Sequence, residues 1–439
     1  ELSLSGVIHS IDLTNNSIGD RGGLALSNFL SQDTSLTRLS LACNSFGEDS
    51  LKALGGAMRS NTTLTSLNMG YMNLGDSGCE IVSEALYDSS NTTLRELELH
   101  ETNMGEDGCV AIVDLLDRLP LSRLELSKNH INDFGCNVLC KKLQRNTSVT
   151  ELNLNGNKIG TSGCLTLCKL LQTNATITSL NLGNNNLRDL GVQHMCDALV
   201  TNHTLTALDL SNNNISLALK CLCRLLETHP SIEYIALRAN FIGKEEAAWI
   251  AQVMRHNTTL THLDLAGNVL HREGAEVLCE SLHHNQTLKT LLLGCNSLHE
   301  HGIRAVSNML KENSTITRLD LEMNNMNQCA CLALAESLEV NSTLEVLSLN
   351  QNHLTVFPLL SVCSALNKHM NLVSFDLVGN LTSNKDCEFI VEAFEKNTAI
   401  CHLNLGIPNK GPYMPDHLAR YLRNNMNRQL SLARFLDIK

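Results

Sequence analysis

Leu152-Asn153-Leu154-Asn155-Gly156-Asn157-Lys158-Ile159-Gly160-Thr161-Ser162-Gly163, running on through Leu167 to Leu171, changes its period halfway. Leu152 and Leu154 alternate with polar residues, the pattern of a strand with one buried face. Gly160-Thr161-Ser162-Gly163 reads as a turn whose Thr or Ser caps a helix. Leu167 and Leu171 then lie four apart on one helical face. Strand, turn, helix and return make one coil, and a single coil cannot bury its own leucines.

The phrase Leu-x-Leu-x-x-Asn-x-Leu recurs along the whole chain. Indexed by its Asn, the frame positions are Asn16, Asn44, Met72, Thr102, Asn129, Asn157, Asn185, Asn213, Asn240, Asn268, Asn296, Asn324, Asn352, Asn380 and Pro408. The spacings are 28, 28, 30, 27, 28, 28, 28 and 27, followed by 28 six times. The helical pair recurs as Leu26/Leu30, Leu54/Met58, Ile250/Met254, Leu278/Leu282 and Leu418/Leu422. Stacked coils of this kind make a solenoid, with strands in a parallel sheet on one side and helices on the other. Strands pack about 4.8 Å apart and helices about 10 Å. The expected fold class is therefore α/β, a curved horseshoe of about fifteen repeats with the sheet on the concave face and the helices on the convex face. The frame Asn is expected to pair backbone groups in the turn.

Length and composition fit that reading. The chain's 439 residues would ordinarily suggest several domains, but fifteen coils account for them. Aromatics are only 3% and prolines number six, which suits thin leucine-filled coils without flexible linkers. The solenoid is expected over 8–422, preceded at 1–7 by the remnant of a cap or upstream segment and followed at 423–439 by a basic tail. No apolar run reaches the ~18 residues of a membrane span, and a net charge of −12 argues against nucleic acid and anionic lipid as partners.

The pattern Leu-x-x-Leu-x-Leu-x-x-Asn-x-Leu-x-x-x-Gly-x-x-x-Leu, in 28-residue units with a helical second half, resembles the ribonuclease-inhibitor-like class of leucine-rich repeat. Asn-Thr-Thr-Leu at Asn61–Leu64 and Asn257–Leu260 is similar to the repeat arrays of NOD-like receptors. The resemblance implies a binding fold without naming the partner. Ribonuclease inhibitors use several aromatic anchors on the inner face, whereas Tyr234 is the one aromatic in the strand rows here.

Seventeen cysteines invite a disulfide or zinc reading. Cys79, Cys109, Cys136, Cys164, Cys331 and Cys387 lie seven residues after the frame position, and Cys140, Cys168, Cys196, Cys279 and Cys363 eleven after it. Both are core-facing helix positions, so these are expected to be buried free thiols. Many free thiols favour a reducing, cytoplasmic compartment. Nine sequon asparagines (Asn61, Asn91, Asn146, Asn174, Asn202, Asn257, Asn285, Asn313, Asn341) share the position eleven before the next frame residue. They are expected as turn residues in a left-handed helix cap, not as glycan sites. No phosphate loop, zinc-peptidase motif or nucleophile elbow is present, so no enzyme activity, metal or cofactor is expected.

The informative surface is the concave one, where side chains six, four and two before the frame residue point outward. Acids there are Asp12, Glu96, Glu98, Glu125, Glu151, Asp209, Asp264, Asp320, Glu322 and Asp376; bases are Arg38, Arg123, Arg238 and Arg318. Half the chain's net charge thus sits on these rows, and a wall of one sign steers an oppositely charged partner. Partner contacts are expected at Glu96, Glu98, Glu125 and Glu151, and around Tyr234 and Arg238 with His262, Asp264, Arg318, Asp320 and Glu322. Glu96, Arg123 and Glu151 fall in one row, where they can also pair with one another. The expected function is a non-enzymatic scaffold that binds a protein with a basic surface. Rival readings are the sensor half of a NOD-like receptor, a Ran-type GTPase-activating protein, and a subunit of a cytoskeletal or ciliary assembly.

Overall fold

A computed structural model describes residues 8–368, 371–381, 384–394 and 397–406. The segments 1–7 and 423–439, and the helix expected to carry Leu418 and Leu422, lie outside the described residues. Two compact units follow one another: one reaches Leu225 and includes His229–Ile232, the other takes Leu226–Thr228 and continues from Glu233.

In the first unit the strands are β1 (Ser10–Asp12), β2 (Arg38–Ser40), β3 (Ser66–Asn68), β4 (Glu96–Glu98), β5 (Arg123–Glu125), β6 (Glu151–Asn153), β7 (Ser179–Asn181) and β8 (Ala207–Asp209). Its helices are α1 (Asp20–Leu30), α2 (Glu48–Ser60), α3 (Gly75–Tyr87), α4 (Glu106–Asp114), α5 (Asp133–Leu143), α6 (Thr161–Leu171), α7 (Arg188–Leu199) and α8 (Leu219–Leu226). The second unit has β9 (Tyr234–Ala236), β10 (His262–Asp264), β11 (Thr290–Leu292), β12 (Arg318–Asp320), β13 (Val346–Ser348), β14 (Ser374–Asp376) and β15 (His402–Asn404). Between these strands lie α9 (Lys244–Met254), α10 (His271–Leu282), α11 (His299–Glu312), α12 (Gln328–Leu338), α13 (Val356–Leu366) and α14 (Asn384–Ala393). In each unit every strand pairs in parallel with its sequence neighbour, in register with the repeat, as Leu97, Leu124 and Leu152 show. This is the expected α/β solenoid of stacked coils.

The core is the stack of those leucines against the helical pairs. Leu152, Leu154, Leu167 and Leu171 are all buried, as are Leu54/Met58 and Leu278/Leu282. The cysteines expected in the core are buried too, and none is in a disulfide; the Cys387 side chain lies outside the described residues. Burial pushes the Cys79, Cys109 and Cys331 thiols up to about 12, so they stay protonated and inert.

The turns after the strands are left-handed. In all fourteen turns from Asn16 to Asn380 the residue just before the frame position has positive φ, and only Gly156, Gly267 and Gly379 among them are glycine. A non-glycine there costs about 1 kcal/mol, and the frame Asn supplies the compensation. Asn157 Nδ2 donates to the Leu126 and Leu154 carbonyls at 3.0 and 3.1 Å, while its Oδ1 accepts from Ile131 N–H at 3.0 Å. Asn185, Asn268, Asn296 and Asn352 repeat this set, each reaching back one coil.

Two expectations change. Thr161 and Ser162 do not cap α6, whose N-cap is Gly160. The cap comes from the preceding coil: Asp133 Oδ1 accepts from Gly160 and Gly163 N–H at 2.7 and 2.9 Å. Asp20, Asp76 and Asp189 do the same for the next helix along. A carboxylate so placed also complements the helix dipole.

The sequon asparagines are not left-handed caps either. Asn61 and Asn313 are extended, with φ of −74° and −73°, and none of the nine has positive φ. Each closes a local turn instead, as Asn313 Oδ1 does by accepting from Thr315 and Ile316 N–H. Its Nδ2 donates to the Leu282 carbonyl of the previous coil. The amide nitrogen a glycan would need is thus buried in Asn174, Asn202, Asn257, Asn285, Asn313 and Asn341.

His229 occupies this same position. Its Nδ1 accepts from Ser231 and Ile232 N–H, and its Nε2 faces the Leu199 and Asn202 carbonyls at 3.1 and 2.9 Å. Those partners fix the neutral tautomer with the proton on Nε2. The ring is 4% exposed, and burial lowers its pKa below the ordinary 6.5, with His203 beside it adding to the effect.

Two predictions follow from these rungs. Asn157→Ala, and equally Asn157→Asp, which removes the donor, should each cost about 3 kcal/mol in urea unfolding. For His229 the unfolded chain takes up the proton first. Stability should therefore fall as pH drops below about 6.5 and level off below the folded-state pKa. His229→Asn, installing the residue of the equivalent turns, should remove that component from melts recorded across the range.

Candidate partner-binding surface

Each strand has three residues, the middle one a buried leucine or its equivalent, except the half-buried Ile11 of β1, and the outer two pointing away from the core. With the residue two further on, they form three outward rows in each unit. In-register pairing sets Glu96 beside Arg123 and Glu151, and Glu98 beside Glu125 and Asn153. In the second unit it sets Tyr234, His262, Thr290 and Arg318 in one row, with Ala236, Asp264, Leu292 and Asp320 in the next. The sites expected from sequence thus form one patch in each unit.

The middle row has a structural duty that the sequence reading missed. Its carboxylate or amide oxygen accepts the backbone N–H two residues on: Asp12 from Thr14, Glu125 from Ser127, Asp209 from Ser211, Asp264 from Ala266 and Asp320 from Glu322, at 2.8 to 3.0 Å. Asn68, Asn153 and Asn181 do the same through Oδ1. The signal was present in the sequence, because Asp and Asn alternate at this position alone of the three. The bond requires an oxygen, and the charge is additional to it.

Individual residues sort accordingly. Glu125 is 8% exposed and also takes a 2.6 Å bond from Asn153 Nδ2, so it is built into the wall. Glu151 and Glu98 flank Arg123 at 3.8 and 3.9 Å, loose contacts of an exposed and a half-buried carboxylate that add little stability. Glu96, expected in that cluster, makes no ion pair among the described residues. Glu96, Glu98 and Glu151 therefore keep accessible carboxylates.

In the second unit Arg238 Nε approaches Asp264 Oδ2 at 3.8 Å, and its own side chain is half exposed. The Tyr234 and His262 rings lie 6.0 Å apart at 39°. His262 Nδ1 meets the Thr261 hydroxyl at 2.8 Å. Burial lowers the His262 pKa, and Lys289 and Arg318 lower it further, so the ring is neutral near pH 7. Arg318 is exposed, while Glu322 is half-buried. Asp376, further along the row, is pushed up by its burial.

A second feature lies on the helical side of the first unit. Glu80, Glu84, Tyr87, Asp88, Asp114, Asp117 and Lys142 line a groove of about 370 Å³. Lys142 Nζ joins Asp114 at 2.8 Å and Asp117 at 2.5 Å, and these bonds raise its pKa. Among the described residues no group of three or more His, Cys, Asp or Glu side chains could hold a metal ion, and no helix is long and apolar enough to cross a membrane.

A family model described as Leucine Rich repeat matches residues 7–27, 32–55, 60–80, 90–113, 145–168, 173–196, 201–217 and 256–279. A search of curated proteins by sequence finds no significant match. Among solved structures, yeast Rad7 in its complex with Elc1 is similar at 18% identity and a TM-score of 0.50, over 84% of this chain and 82% of that one. TLR13 in complex with ssRNA13 aligns at 19% identity and a TM-score of 0.44, over 89% of this chain and 62% of that one. The C-terminal domain of Caenorhabditis elegans tropomodulin aligns at 18% and 0.31, over 37% of this chain and 98% of that one. Likeness at such identities concerns the fold alone.

The middle row gives a direct test of structural duty against charge. Asp264→Asn should leave the melting temperature within about one degree, since the Ala266 N–H keeps its acceptor. Asp264→Ala should cost about 1–2 kcal/mol in chemical denaturation.

Proposed function

From a fold made of leucine-rich repeats, we propose that the chain is a non-enzymatic scaffold that binds a partner protein with a basic surface through its outward strand face. One observation carries the reading. The strand rows of the first unit hold six acids against two bases, and the charge of Asp12, Glu125 and Asp209 exceeds what their backbone hydrogen bonds require. Three further carboxylates, Glu96, Glu98 and Glu151, remain accessible. Excess charge of one sign on an ordered wall raises association rates with an opposite surface and repels phosphate backbones. That favours a protein over a nucleic acid or an anionic membrane.

The second unit contributes a mixed patch. Tyr234, Arg238 and Arg318 are residue types that anchor interfaces, and Asp264, Asp320 and Glu322 supply rim charge. The wall is ordered before binding by its own backbone bonds, so a partner bears less of the entropic cost of association. Rad7, the similar fold in yeast, is itself found in a complex with another protein. A reducing, cytoplasmic setting agrees with sixteen free thiols among the described residues and with the burial of the sequon amides.

The test is affinity purification with quantitative mass spectrometry, using the full chain and two charge-reversed variants as baits. Glu96→Lys/Glu98→Lys/Glu151→Lys should lower recovery of basic partners about tenfold, which corresponds to about 1.4 kcal/mol. Glu80→Lys/Glu84→Lys, on the helical side, should recover them undiminished. Equal recovery with all three baits would overturn the acidic-face reading.

A further inference from the structure

Two thiols meet on the helical side of the first unit, away from the strand face. Cys196, on α7, is 5% exposed, while Cys221, in the first turn of α8, is half-buried. Their Sγ atoms are 3.5 Å apart, in van der Waals contact, and Cys221 Sγ lies 2.9 Å from the Ala218 carbonyl oxygen. Cys109, Cys136 and Cys164 each face the carbonyl of a glycine in the next coil, and Cys136 and Cys164 also meet Cys140 and Cys168 one turn along their own helices, whereas Cys196 and Cys221 join two different helices.

The meeting has a cause in the repeat. Cys221 stands eight residues after its frame Asn213, a position that faces solvent elsewhere, as Lys52, Glu80 and Gln193 do. This coil is 27 residues long, and α8 starts six residues after the frame position where α6 starts four after it. The late, shortened helix turns a surface-row side chain against the neighbouring α7. A disulfide needs an S–S distance of about 2.05 Å, so the sulfurs must close by about 1.5 Å, which side-chain rotation can provide.

We propose that Cys196 and Cys221 are a reversible oxidation site that closes to a disulfide between α7 and α8 when the chain meets a hydroperoxide. Cys221, the more accessible thiol, attacks the terminal peroxide oxygen as its thiolate. The O–O bond breaks, an alcohol or water leaves, and Cys221 becomes a sulfenic acid. Cys196 then attacks that sulfur, the S–O bond breaks, water departs and the S–S bond forms. The two thiols together give two electrons to one peroxide, and a small-molecule thiol returns them by exchange. Burial holds the Cys196 thiol well above its ordinary range, which leaves the first step to Cys221; in the second step the Cys196 proton departs with the sulfenic hydroxyl as the water released.

The experiment exposes the full chain to a small molar excess of hydrogen peroxide, alkylates the remaining thiols under denaturing conditions, and maps the peptides by mass spectrometry. The expected product is a linked pair of peptides containing Cys196 and Cys221, lighter by two hydrogens and separated again by dithiothreitol. Cys221→Ser should abolish the link. Cys196→Ser should leave a sulfenic acid at Cys221 that dimedone traps. Oxidation confined to the exposed Cys295 and Cys329, with Cys196 and Cys221 both recovered as alkylated thiols, would overturn the proposal. So would a Cys196→Ser chain that folds yet gives no dimedone adduct at Cys221.

Discussion

A buried amide that must serve two neighbouring coils at once is the constraint on which this structure rests. The chain turns left-handed after every strand in the fourteen turns from Asn16 to Asn380, mostly without glycine. Such a turn leaves carbonyls and N–H groups pointing inward, where water cannot reach them. The frame Asn offers a donor to two coils' carbonyls and an acceptor to the earlier coil's N–H, and no smaller polar side chain offers both. Thr102, where Asn is absent, binds its own Leu99 carbonyl and leans on Asn129 for the rest. The strands, the leucine stack and the outward rows all take their places from that rung.

Much of this was legible in the sequence because a solenoid repeats its physics. The 28-residue period, the switch from alternation to helical spacing and the buried thiols could each be read from residues in one coil and checked in the next. What escaped were bonds between coils. Asp133 lies far from Gly160 in sequence, so the cap of α6 was sought locally in Thr161 and Ser162 and found in the preceding coil. The sequon asparagines were placed in the right turn with the wrong backbone, since the side chain builds the turn without a left-handed residue.

The charged rows show the same division. Position alone named Glu96, Glu98, Glu125 and Glu151 together, but packing separates them. Glu125 is absorbed by Ser127 and Asn153, while the other three keep accessible carboxylates. An interaction surface here is superimposed on a structural row, and the interchange of Asp with Asn marks where one ends and the other begins. At the frame position no such freedom exists, because a carboxylate there would face carbonyl oxygens.

The rungs also govern how a chain of this kind can change its length. Apart from the exposed Lys128–Tyr71 contact, the side-chain bonds between coils among the described residues join residues about one repeat apart, most often 26, 28 or 31 positions. Adding or losing a whole coil leaves all such partnerships intact, whereas shifting one residue within the strand turn would misplace a donor and an acceptor together. The irregular spacings obey this rule. The coil of 30 and the first coil of 27 take their change between the helix and the returning turn, before Asn91 and Arg118, and the second coil of 27 takes it between the frame turn and the late start of α8. Growth is therefore quantised on the strand side and tolerant on the helix side. Novelty that enters one residue at a time can accumulate around the helices while the strands keep their register.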